Sequence, residues 1–133
     1  MDPKDNRSFK LAIVADYFIN PARYGDLPRN SAVYDVLRDL GYGILKMPEA
    51  GYPSEKAAEY LIPVMDQAEE YIKRGYQVIA VGLKEVPDGG IHYSLIREEA
   101  SRRGINPPRL LLFSASENLS DKSFITQRVS VPL

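Results

Sequence analysis

The run Gln77-Val78-Ile79-Ala80-Val81-Gly82-Leu83 is the clearest β-strand signal in this 133-residue chain. A short, continuous apolar run between turn residues is typical of a strand that is buried on both faces of a sheet. Leu11–Ala15 and Leu110–Phe113 have the same character, and Gly43–Met47 is a weaker run of the same kind. These segments predict a mostly parallel sheet, because parallel sheets are covered by helices on both sides.

Segments with helical periodicity separate the apolar runs. Residues 33–40, 54–72 and 91–103 carry apolar side chains at helical spacing, and a glycine follows each segment. Pro63 lies inside the second segment and predicts a kink there, or a break between two short helices. The alternating residues of Phe124–Val131 predict an edge strand with one solvent-exposed face.

The predicted fold is therefore a single α/β domain, a three-layer sandwich of the flavodoxin- or Rossmann-like kind. Its order is β-α-β-α-β-α-β-β, with about five strands, most of them parallel, and the C-terminal strand at an edge. The domain is expected to span residues 9–133. A flexible N-terminal tail is expected over the polar residues 1–8.

Composition excludes several classes of function. Lys and Arg total 17 against 18 Asp and Glu, and this balance argues against a dedicated nucleic-acid binder. No apolar run approaches the ~20 residues that span a bilayer, and the N-terminus lacks the apolar core of a signal peptide, so a cytoplasmic location is expected without membrane attachment. With no cysteine and one histidine, the sequence predicts no metal site. It identifies no cofactor.

The ligand site is expected at the carboxyl ends of the parallel strands, near the point where the strand order reverses. Four loops follow the predicted strands there, over residues 16–30, 48–53, 84–90 and 114–122. Asp16 ends a buried strand, where a carboxylate is unfavourable unless it is paired or used in chemistry. The same loop supplies candidate ligand-binding residues, namely Tyr17, Asn20, Arg23 and Arg29. An ion pair between Asp16 and one of the arginines, which would fix the loop, is an equally good interpretation.

The loop after the clearest strand supplies the second group of candidates. Lys84 could orient an anion, and Glu85 could form an acid/base pair with Asp16. Gly89 and Gly90 would let the backbone approach a ligand closely, and His92 falls in the first turn of the next helix, where a neutral imidazole is favoured. The alternative is an ordinary turn at Asp88-Gly89.

The loop over residues 114–122 offers hydroxyl and amide groups for sugar or phosphate contacts, on Ser114, Ser116 and Asn118. A plain polar turn is the alternative here. On the third helix, Glu98 and Glu99 with Arg102 and Arg103 predict a solvated, salt-bridged face.

The layout also resembles the nucleoside 2-deoxyribosyltransferase-like superfamily, small α/β proteins that cleave or transfer N-glycosidic bonds. Leu11–Phe18 precedes a loop and a helix, and Tyr76–Leu83 precedes a glycine-bearing loop and a helix before Pro108–Phe113. The resemblance implies nucleoside or nucleotide substrates. The family's nucleophilic glutamate, counted from Gly90, corresponds to Ser94 in this chain.

Three functions follow as hypotheses, of which the sequence favours the first and leaves the other two as alternatives. The first is a small enzyme that acts on a nucleoside, nucleotide or sugar phosphate, with Asp16 and Glu85 as acid and base. The second is a binding module that holds the same small anionic ligand without chemistry. The third is an oligomeric interaction protein, for example a homodimer, that uses the first loop and the C-terminal strand.

Overall fold

The computed structural model describes residues 9–15, 18, 31–47 and 54–130, and for residues 54–57 the backbone only. Its sheet has four strands in the order β2-β1-β3-β4, and every neighbouring pair is parallel. The strands are β1 (Lys10–Ala15), β2 (Tyr42–Met47), β3 (Gln77–Leu83) and β4 (Arg109–Phe113). The predicted α/β architecture with a parallel sheet is confirmed, with four strands in place of about five.

Four helices connect and cover these strands. They are α1 (Val33–Asp39), α2 (Ser54–Lys73), α3 (Tyr93–Arg103) and α4 (Lys122–Ser130), and a short 3-10 turn over Pro87–Gly90 precedes α3. Helix α1 contacts α4, whereas α2 contacts α3. This division, together with the right-handed rule for parallel crossovers, gives one pair of helices on each face of the sheet.

Strands β1 and β3 form the centre of the core. Ala12, Ile13 and Val14 of β1 are completely buried, as are Ile79 and Val81 of β3. Such strands have no polar face, because helices cover both sides of the sheet. The sequence signal was strongest in these two runs for the same reason.

The predicted C-terminal edge strand is wrong. Residues 122–130 form helix α4, whose buried residues Ile125 and Val129 are four positions apart and share one face. Asp121 caps this helix, since its Oδ1 accepts hydrogen bonds from the backbone N–H of Ser123 (3.0 Å) and of Phe124 (3.3 Å). A spacing of four residues fits both an alternating strand and one helix face, and packing against the sheet selects the helix.

Two features of the other helices also differ from expectation. Helix α2 is a single helix of 20 residues with Pro63 inside it, so the break into two short helices is wrong, while the kink stays a prediction. On α3 the salt bridges form, but the face is not solvated throughout, because Glu99 is buried. Arg103 bonds Glu99 through Nε (2.7 Å) and reaches Asp66 (2.8 Å) and Glu69 (2.9 Å) on α2. This network joins the two helices.

Candidate functional site

The strand order fixes where the sheet reverses direction. From β1 the chain moves outward to β2 and then crosses to β3 on the other side of β1, so the reversal lies between β1 and β3. Val14 of β1 is in register with Val81 of β3, which puts the carboxyl ends of these strands side by side. In open α/β sheets ligands bind in the crevice at this position.

The residues that follow β1 and β3 are the ones that the sequence singled out. Five candidates of the first loop lie outside the described residues and remain predictions; they are Asp16, Tyr17, Asn20, Arg23 and Arg29. The loop after β3 is described in full. Its backbone is anchored to the neighbouring strand, because the N–H of Lys84 donates to the carbonyl of Phe113 (2.8 Å).

A surface depression of about 490 Å³ opens beside this loop. Its rim is formed by the loop itself, including Lys84, Glu85 and Asp88, while Tyr93 and the leucines Leu110 and Leu112 supply its apolar surface. The depression therefore combines one ammonium group and two carboxylates with an apolar wall. Cavities that bind small molecules have this size and this mixture of surfaces.

The carboxylate of Glu85 joins the loop after β3 to the loop after β4. The Ser114 hydroxyl donates to Oε2 of Glu85, and the Ala115 N–H donates to Oε1 (2.9 Å). These bonds, chiefly the one from Ser114, hold the pKa of Glu85 below its ordinary value. Glu85 is consequently ionised at neutral pH, and both of its oxygens already accept hydrogen bonds.

The polar side chains after β4 bond mainly to one another. The Ser116 hydroxyl lies 2.8 Å from that of Ser114, and Asn118 Oδ1 accepts hydrogen bonds from the hydroxyl (2.7 Å) and the N–H (3.3 Å) of Ser120. The Ser114 N–H donates to Glu117 (2.6 Å). These contacts build a polar turn in which Ser114 bonds Glu85 and Ser116 bonds Ser114.

Gly89 approaches the chain's own backbone. A Cβ added at Gly82 in β3 would lie 2.1 Å from the carbonyl oxygen of Gly89, so the 3-10 turn rests directly on the strand. Gly89 and Gly90 are buried and have φ values of +67° and +78°. The close approach that the sequence suggested toward a ligand is thus made, at Gly89, toward Gly82.

The start of α3 is shaped by two further residues with left-handed backbones, Asp88 (φ 55°) and His92 (φ 52°). His92 immediately precedes the helix and is buried, 8% exposed, rather than lying in the first helical turn. Ser94, which corresponds to the glutamate position of the family that the layout resembles, donates from its hydroxyl to Asp88 Oδ2 (2.6 Å).

Sequence reasoning missed three residues of this region. Gly82 carries a signal, because a glycine inside a strand is typical of a site where another backbone approaches closely, but the sequence does not identify the turn that does so. Tyr93 lines the depression and donates its hydroxyl to the carbonyl of Pro108 (2.5 Å), and burial raises the pKa of this phenol. The sequence predicts Asp88 only as a turn residue, and its carboxylate also accepts a hydrogen bond from the hydroxyl of Ser94.

Within the described ranges, no cluster of three or more His, Asp or Glu side chains is arranged to hold a metal ion. Nor does any helix in that part of the chain have the length and apolarity needed to cross a bilayer. Comparisons with protein-family models, with curated proteins and with solved structures find no match for this chain.

Proposed function

We propose that this protein binds a small phosphate-bearing ligand, a nucleotide or a sugar phosphate, at the carboxyl ends of β1 and β3. The strand order β2-β1-β3-β4 carries the proposal, because it puts the reversal point of the sheet between those two strands. The loops that begin there contain the charged and aromatic residues that the sequence singles out. A ligand with an anionic group and a ring suits that combination.

Lys84 is the described residue proposed to meet the phosphate. It is the first residue after β3, it is exposed, and it lines the depression beside the loop. The carboxylate of Glu85 also lines the depression, but both of its oxygens already accept hydrogen bonds from the loop after β4. The ammonium group of Lys84 then provides the positive charge. On the β4 side of Lys84, Tyr93, Leu110 and Leu112 provide an apolar surface for the rest of the ligand.

The same geometry favours binding over acid/base chemistry at Glu85. A general base works best with a pKa near the working pH, and hydrogen bonds lower the pKa of Glu85 instead. We therefore propose that Glu85 positions the two loops. The alternative is cleavage of an N-glycosidic bond, which the layout resemblance implies. Product analysis of any bound nucleotide distinguishes cleavage from binding alone.

The test is a thermal-shift series with AMP, ribose 5-phosphate and adenosine. A ligand at a hundred times its Kd stabilises the folded state by about 2.7 kcal/mol, which raises Tm by roughly 8 °C in a chain of this length. We expect the two phosphate-bearing compounds to raise Tm and adenosine to do so much less. Lys84→Gln should remove most of the shift.

Lys73→Gln is the matched control, because Lys73 is exposed at the end of α2 and pairs with Glu69 (2.6 Å). It lies before the amino end of β3, whereas Lys84 follows the carboxyl end of that strand. This variant should keep the full ligand-induced shift. Equal shifts in both lysine variants, or no shift with either phosphate, would contradict the proposal.

A further inference from the structure

Among the described residues, the sheet has two edges without a neighbouring strand, the outer sides of β2 and of β4. In a parallel ladder, alternate residues direct their backbone groups to opposite sides of the strand. Phe113 faces β3, since its carbonyl accepts the N–H of Lys84. Leu110 and Leu112 therefore direct their N–H and C=O groups outward, and in the described part of the chain β4 is the last strand on that side.

This edge has the features of a surface that pairs with itself. Leu110 and Leu112 are both only partly buried, so the edge carries apolar side chains as well as backbone donors and acceptors. In an antiparallel pair of two β4 strands, Leu110 of one copy lies opposite Leu112 of the other, and their outward N–H and C=O groups satisfy one another. An apolar strand edge of this kind favours pairing with a strand of another molecule.

Arg128 of α4 occupies that edge. Its Nη2 donates to the outward carbonyl of Leu112 (2.6 Å), and its Nη1 bonds Glu117 (3.0 Å). The guanidinium carbon also lies 5.1 Å from the ring centroid of Phe113 and 5.8 Å from that of Phe124. Two rings and a carboxylate thus hold the charged group at the acceptor that an incoming strand would need.

We propose that Arg128 prevents a β-strand of a second copy of the chain from pairing with the outer edge of β4. The opposite edge of the sheet supports this interpretation, because β2 carries the exposed charged residue Lys46 there. Charges on edge strands discourage pairing in the same way. On β4 both outward positions are leucine, and the backbone of its one charged residue, Arg109, faces β3, so the charge at the outward acceptor comes from a helix that lies later in the sequence.

The test compares the mass of variants by sedimentation equilibrium over a range of concentrations. Arg128→Met keeps an unbranched side chain against the two rings but removes the charge and the donor to Leu112. We expect its weight-average mass to rise with concentration toward twice that of the parent protein. Adding Leu110→Lys to the same chain should return the mass to the parent value, because the lysine charges the edge that pairs.

Arg38→Met is the matched control. Arg38 also lies over an aromatic ring, that of Tyr34 at 5.7 Å, but it belongs to α1 and its described hydrogen bond is to Tyr34. Its removal should leave the mass unchanged. Circular dichroism establishes that each variant is folded, and Arg128→Gln replaces Arg128→Met if the latter unfolds.

A folded Arg128 variant with the mass of the parent protein would overturn the proposal, as would an association that Leu110→Lys does not reverse. If both Arg128 variants fail to fold, Arg128 is a residue required for folding, and the proposal that it prevents strand pairing at β4 is likewise refuted.

Discussion

Replacing Gly82 with alanine tests the contact that shapes the candidate site. The added Cβ would lie 2.1 Å from the carbonyl oxygen, 2.8 Å from the carbonyl carbon and 3.0 Å from the Cα of Gly89. All three are backbone atoms, so no side chain can rotate to make room. The 3-10 turn would have to move by more than about 1 Å to restore an ordinary contact, and close-packed interiors resist such shifts.

We expect Gly82→Ala to lower the free energy of unfolding by about 3 kcal/mol, the upper end of the range for overpacked sites. Typical domains have a total stability of roughly 5–15 kcal/mol, so the loss is readily measured. The assay is equilibrium urea unfolding, with the change read from the transition midpoint.

Gly104→Ala separates this steric effect from the conformational effect of losing a glycine. Gly104 ends α3 with φ +69°, and an added Cβ there would meet nothing within 4 Å. Its substitution should lower stability by about 1 kcal/mol, the penalty of a left-handed backbone alone. A loss at Gly82 that is no larger than the loss at Gly104 would refute the packing of the turn against β3.

Three further variants test other parts of the structure. Arg103→Met should lower stability by about 2 kcal/mol, because it removes the charged hydrogen bonds of Arg103 to Glu99, Asp66 and Glu69 and leaves Arg102 as the partner of the buried Glu99 carboxylate. Arg74→Met in an exposed ion pair should change stability by less than about 0.5 kcal/mol in urea titrations. Hydrogen bonds lower the pKa of Glu85 in the folded state, so its contribution to the free energy of unfolding is present above pH 4.5 and is lost as the pH falls. Glu85→Gln should therefore flatten the acid side of a stability–pH curve. An unchanged curve would contradict this. Gln127→Pro should lower the free energy of unfolding by about 3 kcal/mol because it interrupts α4, while Gln127→Ala should leave it unchanged. A proline that is tolerated at this position would argue for the edge strand instead of the helix.

The central strands could be predicted from the sequence because burial on both faces leaves a continuous apolar run. Val78–Leu83 and Leu11–Ala15 are such runs, and each is a strand of the sheet. Helix α4 could not be predicted, since Ile125 and Val129 satisfy a strand and a helix pattern equally well. Tertiary packing selects the helix there, and the local sequence pattern carries no information about that packing.

The candidate site divides along the same line. Position after a strand was enough to single out Lys84 and Glu85, because parallel strands bring their carboxyl ends to one edge. The bond between Glu85 and Ser114 needed the knowledge that β3 and β4 are neighbours, which only the strand order provides. The burial of Glu99 and the backbone contact between Gly89 and Gly82 likewise depend on how separate elements pack together.

The most direct test of the central claim is an NMR titration of the ¹⁵N-labelled protein with AMP, following the backbone amides. If the ligand binds at the proposed site, the largest chemical-shift changes occur at the carboxyl ends of the strands, at Lys84, Gly89 and Ser114. Gln77 and Asn106, at the opposite end of the sheet, stay unchanged. Shifts centred on Gln77 and Asn106, or no shifts at millimolar AMP, would contradict it.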